Sequence, residues 1–332
     1  MALTTGLLML PSLSPDRLAA TARLAERTGY DYLWLADERF FREVYASLTH
    51  AAHVTERIRL GPCVTDPYSR HPALTAMAIA SLDEIAGRRA VLGIAREKPA
   101  VAIREAVEVI RRLLAGETVT YKGHTVTLED AKLDFVPPRA HVPTYVASQH
   151  VHGCRAAGRV ADGAIMQGCV AEPLLRFFRD TVTEGARQAG RDPKSIDLVA
   201  RINVCIDDDR KAARDVMRPG IVRSLVSQRP EFFTFRQAGL AVPPAFAEKL
   251  MAVPYTHEPG PLAALASEVP DAFVDAVTLA GPPEVVADGV IALARGGITQ
   301  FTIYPTAAAG PTERVIERFQ ADVMPRVRAA GL

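Results

Sequence analysis

The sequence has few cysteines and no apolar stretch long enough to cross a membrane. Its 4 cysteines are scattered, without the spacing of a zinc site or the density of a disulfide framework. That usage favours a reducing compartment. The apolar residues 7–10 lack a basic leader, and Ser14-Pro15-Asp16 soon begins a helix, so this run is interpreted as a buried strand rather than a signal. We therefore expect a cytoplasmic protein with no metal site and no membrane partner.

An excess of one charge is also missing. Lys and Arg total 39 against 38 Asp and Glu, and no run of five basic residues occurs. Proteins that bind nucleic acid depend on clustered Lys and Arg to neutralise phosphates, so we expect no nucleic-acid partner. A small-molecule substrate remains open, since one Arg or one helix N-terminus is enough to hold a small anion.

Short apolar runs alternate with longer segments of helical period along the chain. The runs are nearly continuous in apolar residues, which is typical of parallel strands covered by helices on both faces. Residues 14–28 form a clearly bounded helix, with Ser14 as N-cap, Pro15 at the first position and Gly29 after the end. A second helix is predicted over residues 101–114. The predicted strands are residues 5–10, 32–36, 58–64, 90–95, 144–148, 163–167, 198–206 and 300–304.

Eight such units favour an α/β protein of the (β/α)8 TIM barrel class with insertions. A doubly wound open sheet, the alternative, usually stops at five or six strands. We treat residues 1–332 as a single domain with a hairpin insertion near residues 117–129, around Lys122-Gly123, and a helical insertion near residues 207–280. The second insertion contains 8 prolines. A lid or substrate wall and an outer decoration or subunit contact are equally good interpretations of it.

Polar side chains follow the second and third predicted strands. In a barrel of this class the carboxyl ends of the strands form the site. Asp37 and Glu38 directly follow strand two. They are interpreted either as a proton-transfer group or as part of a salt bridge at the rim of the barrel. The turn after strand three, residues 63–72, packs hydroxyl, carboxylate, phenol, guanidinium and imidazole groups together. That density indicates a functional site.

Later strand exits carry weaker signals. Arg96 and Lys98 leave strand four, Ser148 and Gln149 leave strand five, and Gly168 leaves strand six. Such groups can hold an anion such as a phosphate, although solvated surface charge explains the two basic residues better. No glycine-rich dinucleotide, Walker or nucleophile-elbow motif supports another enzyme class.

Several segments resemble the luciferase-like monooxygenase superfamily, and most closely its branch of coenzyme F420-dependent reductases related to methylene-tetrahydromethanopterin reductase. The specific part is the stretch through strand three. The matching segments are Trp34-Leu35-Ala36-Asp37, Arg42-Glu43-Val44-Tyr45, Arg59 to Pro72, Val142 to Ala147, Val160-Ala161-Asp162-Gly163, Ala280 to Val285 and Gly297-Ile298-Thr299-Gln300.

The resemblance implies a barrel that binds coenzyme F420 or FMN at the strand ends and forms a homodimer. It implies a non-prolyl cis peptide between Cys63 and Val64 behind the flavin-like ring. Asp37 would handle the proton, with Glu38 as second candidate. The residues implied to line the cofactor are Cys63, Val64, Thr65, Asp66, Arg96, Ser148, Gln149 and Gly168. Arg70 and His71 would contact substrate or cofactor.

The function expected from this resemblance is hydride transfer between coenzyme F420 and a small organic substrate. An FMN-dependent monooxygenase of the luciferase-like type is the alternative within the enzyme class. A homologue without cofactor, acting as a binding or interaction protein, is the third interpretation. It is motivated by the fourth strand, where Ala95 is followed directly by Arg96 to Pro99 and a helix instead of the family's glycine-rich loop.

Overall fold

The computed structural model describes residues 3–95, 100–256 and 259–332. The chain divides into two compact units. The N-terminal unit comprises Thr4–Met166 and Arg179–Val199, and the C-terminal unit consists mainly of Gln167–Phe178 and Ala200–Leu332.

The N-terminal unit alternates strands with helices, as the apolar runs predict. Its strands are β1 (Thr4–Met9), β2 (Tyr32–Leu35), β3 (Arg59–Pro62), β4 (Leu92–Ala95), β5 (Val119–Lys122), β6 (Thr127–Ala131), β7 (Thr144–Ala147) and β8 (Gly163–Gln167). Its helices are α1 (Pro15–Thr28), α2 (Val44–Ala52), α3 (Pro72–Ile85), α4 (Ala100–Leu114) and α5 (Val151–Val160). Helix α6 (Glu172–Gln188) begins in the C-terminal unit and ends in the N-terminal unit.

Six strands of the N-terminal unit pair in parallel, in the order β1, β2, β3, β4, β7 and β8, while β5 and β6 pair with each other in an antiparallel hairpin. Direct pairing joins β1 to β2, β2 to β3, β4 to β7 and β7 to β8. Parallel bridges join Leu60 of β3 to Ala90, two residues before β4, and join Thr65, which follows β3, to Ile94 of β4. All these strands therefore end at one edge of the sheet, which is where a site is expected.

Close packing in this sheet requires glycine at two positions. A Cβ on Gly61 would lie 1.7 Å from the Val91 carbonyl oxygen, and a Cβ on Gly93 would lie 2.4 Å from the Pro62 carbonyl oxygen. Backbone atoms cannot move away as a flexible side chain can, so any larger residue would force neighbouring strands apart.

The C-terminal unit contains strands β9 (Asp197–Ile206, shared with the N-terminal unit), β10 (Thr278–Gly281) and β11 (Gln300–Pro305). Its helices are α7 (Arg210–Asp215), α8 (Arg218–Ser227), α9 (Phe233–Gln237), α10 (Pro244–Ala252), α11 (Pro259–Ala263), α12 (Asp271–Val277), α13 (Pro283–Arg295), α14 (Glu313–Arg318) and α15 (Met324–Ala329). Strand β10 pairs in parallel with β9, Thr278 lying opposite Asn203.

Strand β10 corrects the sequence analysis, which assigned its first residues to a helical insertion. The strand has only four residues and follows α12 without a turn, so no break in the sequence announces it. Each of the eight strands predicted from the sequence is present, and so is α1 with its predicted caps: Gly29 has a φ of 97° and the Ser14 side chain accepts from the Arg17 N–H. Hairpin β5–β6 occupies the region of the first insertion.

Within the described residues, no helix is both long and apolar enough to span a membrane.

Candidate functional site

Asp37 and Thr65 meet at the carboxyl ends of β2 and β3. The Thr65 side chain is fully buried, and its hydroxyl donates a hydrogen bond of 2.8 Å to Oδ2 of Asp37. The Asp37 side chain is 21% exposed, so one face of the carboxylate is still open to a ligand. A buried hydroxyl holding a partly open carboxylate orients that carboxylate for proton transfer.

Arg70 links this pair to the start of α2. Its Nη2 donates to Oε1 of Glu43 at 2.5 Å, and its Nε lies 3.9 Å from Oδ2 of Asp37. Its guanidinium carbon lies 4.8 Å from the centre of the Tyr45 ring. Glu43 is in turn the N-cap of α2, since its side chain accepts from the Ala46 N–H at 2.7 Å. The arginine therefore sits between two carboxylates and an aromatic face.

Two polar atoms of this cluster are buried without a hydrogen-bond partner in the described part of the chain. Among the described residues, neither the Tyr45 hydroxyl nor Nε of Arg70 has a hydrogen-bond partner. Burial raises the pKa of Tyr45. The positive charge of Arg70 lowers this pKa, and the negative charges of Asp37 and Glu43 raise it. The net effect is a raised pKa, so the hydroxyl keeps its proton and remains a donor. Buried polar groups are rarely left unsatisfied in proteins, which makes both atoms candidates to bind a water or a ligand.

The peptide bond between Cys63 and Val64 is cis, as the family resemblance implied. The backbone on either side is anchored to neighbouring strands: the Cys63 N–H donates to Leu35 and the Thr65 N–H to Gly93. Cys63 and Val64 are both half-buried. They form a firmly held wall beside the Asp37–Thr65 pair.

Asp66 and His71 have local structural roles that the sequence analysis did not assign. Oδ1 of Asp66 accepts from the N–H groups of Tyr68 and Ser69, at 2.6 and 3.2 Å, and closes the turn after β3. Nδ1 of His71 accepts from the Ala73 N–H at 3.2 Å and caps α3. Both side chains shape the loop that carries Arg70.

The remaining predicted residues lie elsewhere or are already engaged. The buried Ser148 hydroxyl both accepts from the His150 N–H and donates to the His150 carbonyl, at 3.0 and 3.2 Å. Gly168, in the C-terminal unit, has a φ of 70° and donates its N–H to Arg201. Glu38 is half-buried, and so is Gln149. Arg96 and Lys98 fall outside the described residues.

Glu43 and Tyr45 belong to the cluster but were not among the predicted site residues. In the sequence analysis they appear only within a segment that resembles the family. Their spacing along the chain does not indicate that the start of α2 lies beside the turn after β3. Arg70 with its acidic and aromatic neighbours is a cluster that only the fold assembles.

The profile of the family described as luciferase-like monooxygenase matches residues 2–300. The chain belongs to this family. It is 31% identical to the 5,10-methylenetetrahydromethanopterin reductase of Archaeoglobus fulgidus, over 97% of this chain and 99% of that one. It is 29% identical to an F420-dependent glucose-6-phosphate dehydrogenase of Kineococcus radiotolerans, over 95% of this chain and 94% of that one.

Among solved structures, the coenzyme F420-dependent tetrahydromethanopterin reductase of Methanopyrus kandleri aligns with 98% of this chain and 100% of its own. The TM-score is 0.87 and the identity 27%. The family and the (β/α)8 TIM barrel expected from the sequence are thereby confirmed.

Proposed function

We propose that this protein is an oxidoreductase that transfers a hydride between coenzyme F420 and a small organic substrate. The observation that carries the proposal is the hydrogen-bonded Asp37–Thr65 pair beside the half-buried Cys63–Val64 wall. The relatives named for F420 dependence or for a pterin reductase add to it, because they align with nearly the whole chain.

The residues of the site fit a planar ring with polar edges. Cys63 and Val64 offer a wall on which a ring can stack, and the carboxylate of Asp37 offers an acceptor beside it. The buried Tyr45 hydroxyl and Nε of Arg70 add donors that lack a hydrogen-bond partner in the described part of the chain. We assign Cys63, Val64, Thr65 and Asp37 to the ring.

Asp66, Ser148 and Gln149 are retained as proposed contacts to the rest of the cofactor. The first two already hold loop backbone, so they would act by shaping the site. Arg70 and His71 are proposed to act on substrate or cofactor in the same way, through the loop after β3.

The chemistry requires a proton as well as a hydride. Coenzyme F420, when bound, supplies a ring carbon that accepts or gives the hydride. A substrate carbon that loses a hydride leaves a proton on the neighbouring heteroatom, which a positioned base must take. Asp37 is the proposed base and Glu38 the second candidate. Thr65 holds the Asp37 carboxylate in place through its hydrogen bond.

A cofactor titration of the purified protein tests this proposal. Coenzyme F420 and FMN are added separately while protein fluorescence, melting temperature and oxygen consumption are recorded. We expect saturable binding of F420 without oxygen consumption. Binding of FMN with oxygen consumption would instead support the monooxygenase alternative, and no response to either cofactor would support a cofactor-free binding protein.

We also propose that the protein is a cytoplasmic homodimer. Leu74, Met77 and Ile85 lie on one stripe of α3 and are 51%, 46% and 46% exposed. An apolar stripe on an outer helix is costly in water and suits a second copy of the chain. Light scattering should give a dimer mass for the natural protein and a monomer mass for Met77→Lys. A dimer that persists in the variant would place the interface elsewhere.

A further inference from the structure

A basic groove runs along the outer surface of the N-terminal unit, between α4, α5 and hairpin β5–β6. It consists of two adjoining cavities of about 680 and 280 Å³ that share Val101, Arg104 and Arg159 in their linings. Lys122 of the hairpin lines the larger cavity. We call this feature the α4–α5 groove. The larger volume lies in the range of small-molecule sites.

Among the described residues, three cations of the α4–α5 groove have no acidic partner. In the described ranges, Arg104 and Lys122 make no ion pair, and Nη2 of Arg159 donates to the neutral amide oxygen of Gln188 at 2.5 Å. All three residues are exposed at the groove. Their charges are therefore available to a ligand.

The other arginines of the groove differ because carboxylates already hold them. Arg111 pairs with Asp162 at 3.1 Å, and Arg112 pairs with Glu117 at 2.8 Å. Arg111 nevertheless keeps a buried Nε that has no hydrogen-bond partner among the described residues. Because this Nε is closed off from solvent, the exposed cations are the groups that a ligand in the groove would contact first.

The carboxylates of the larger cavity do not cancel this charge. Glu105 is only 6% exposed, and its oxygens accept from the N–H groups of His124 and Thr125 at 2.7 and 2.8 Å, which turns them toward the hairpin. Glu108 accepts from the Tyr121 hydroxyl at 3.3 Å. In the part of the chain that the structure describes, the groove lining thus holds three cations without an ion pair and, besides the buried Glu105, the carboxylate of Glu108.

We propose that the α4–α5 groove is a binding site for a small oligophosphate anion, separate from the edge that carries Asp37. Guanidinium groups match phosphate oxygens in pairs of parallel hydrogen bonds, and Arg104 and Arg159 supply two such groups from different helices. Lys122 adds a point charge from the hairpin. The apolar side chains of Val101 and Val107 line the same space.

This site is tested by measuring the binding of tripolyphosphate to the full chain by calorimetry at low salt. We expect saturable binding of one anion per chain that weakens as salt is raised. Arg104→Gln and Lys122→Gln should each weaken the affinity about tenfold, since each removes one charge-assisted contact. Arg23→Gln, which removes an exposed arginine from α1, is the matched control and should leave the affinity unchanged.

Four results would overturn the proposal. If binding is not saturable, the anion is attracted only by the general charge of the protein. The same conclusion follows if Arg23→Gln weakens binding as much as Arg104→Gln does. Binding that neither groove variant weakens would place the anion elsewhere. Displacement of tripolyphosphate by saturating coenzyme F420 would make the groove part of the cofactor site. Because the probe is the anion alone, failure here is distinct from failure of the proposed hydride transfer.

Discussion

Glu105 allows a quantitative prediction about stability. It lies on α4, and its carboxylate accepts hydrogen bonds from the backbone N–H groups of His124, Thr125 and Val126 and from the Thr125 hydroxyl, at 2.7, 2.8, 3.2 and 2.7 Å. Burial alone would raise its pKa, but these hydrogen bonds outweigh burial and lower the pKa from 4.5 to about 2. The ionised carboxylate therefore ties the hairpin to α4.

The shift in pKa converts into a free energy of unfolding. At about 1.4 kcal/mol per pH unit, a lowering of this size corresponds to about 3 kcal/mol of stability at neutral pH. Glu105→Gln keeps the shape of the side chain but removes the charge and brings an NH₂ group toward donors. With an unfolding entropy of roughly 2 cal/mol/K per residue, we expect the melting temperature at pH 7 to fall by about 4 °C.

The pH dependence of this difference is the sharper assay. A carboxyl group whose pKa is lowered by folding contributes its full stabilisation above about pH 4.5 and loses it as the pH falls toward 2. Calorimetric melting of the natural protein and of Glu105→Gln should therefore converge over that window. Glu129→Gln, on the exposed surface of β6, is the control and should have little effect. A difference between the natural protein and Glu105→Gln that stays constant down to pH 3, or a loss no larger than that of the control, would refute the reasoning.

Three further substitutions test the site and the sheet. Asp37→Asn should retain cofactor binding and slow turnover by about 10²- to 10⁴-fold, and unchanged turnover would eliminate Asp37 as the proton-handling group. Thr65→Val should lower the free energy of unfolding in urea by about 1.5–3 kcal/mol, because the buried hydroxyl loses its bond to a carboxylate; an unchanged midpoint contradicts this. Gly93→Ala should lower the melting temperature far more than Gly260→Ala, since a Cβ at Gly93 meets backbone and one at Gly260 meets nothing within 4 Å. Equal losses would show that the strands can separate.

Local pattern predicted most of the fold. The caps of α1 are readable because Ser14, Pro15 and Gly29 each satisfy a requirement of the backbone next to them. The buried parallel strands are readable because both of their faces are apolar. Strand β10 cannot be predicted from local pattern, because its four residues are specified by pairing with β9, which is far away in sequence.

The candidate site was only partly predictable. Asp37 and Thr65 follow successive strands, and the class of fold alone brings strand ends together. The pairing of Arg70 with Glu43 depends on the direction in which α2 begins, which no short-range pattern encodes. The roles of Asp66 and His71 were missed for the opposite reason. Both make contacts two or three residues away, and a dense run of reactive side chains drew attention from turn and cap chemistry.

A crystal structure of the protein with coenzyme F420 tests the central claim most directly. We predict that the ring stacks against Cys63 and Val64, with its reacting edge within reach of the Asp37 carboxylate that Thr65 holds. A ring bound away from that wall, or a turn after β3 whose own side chains fill the space, would contradict the account.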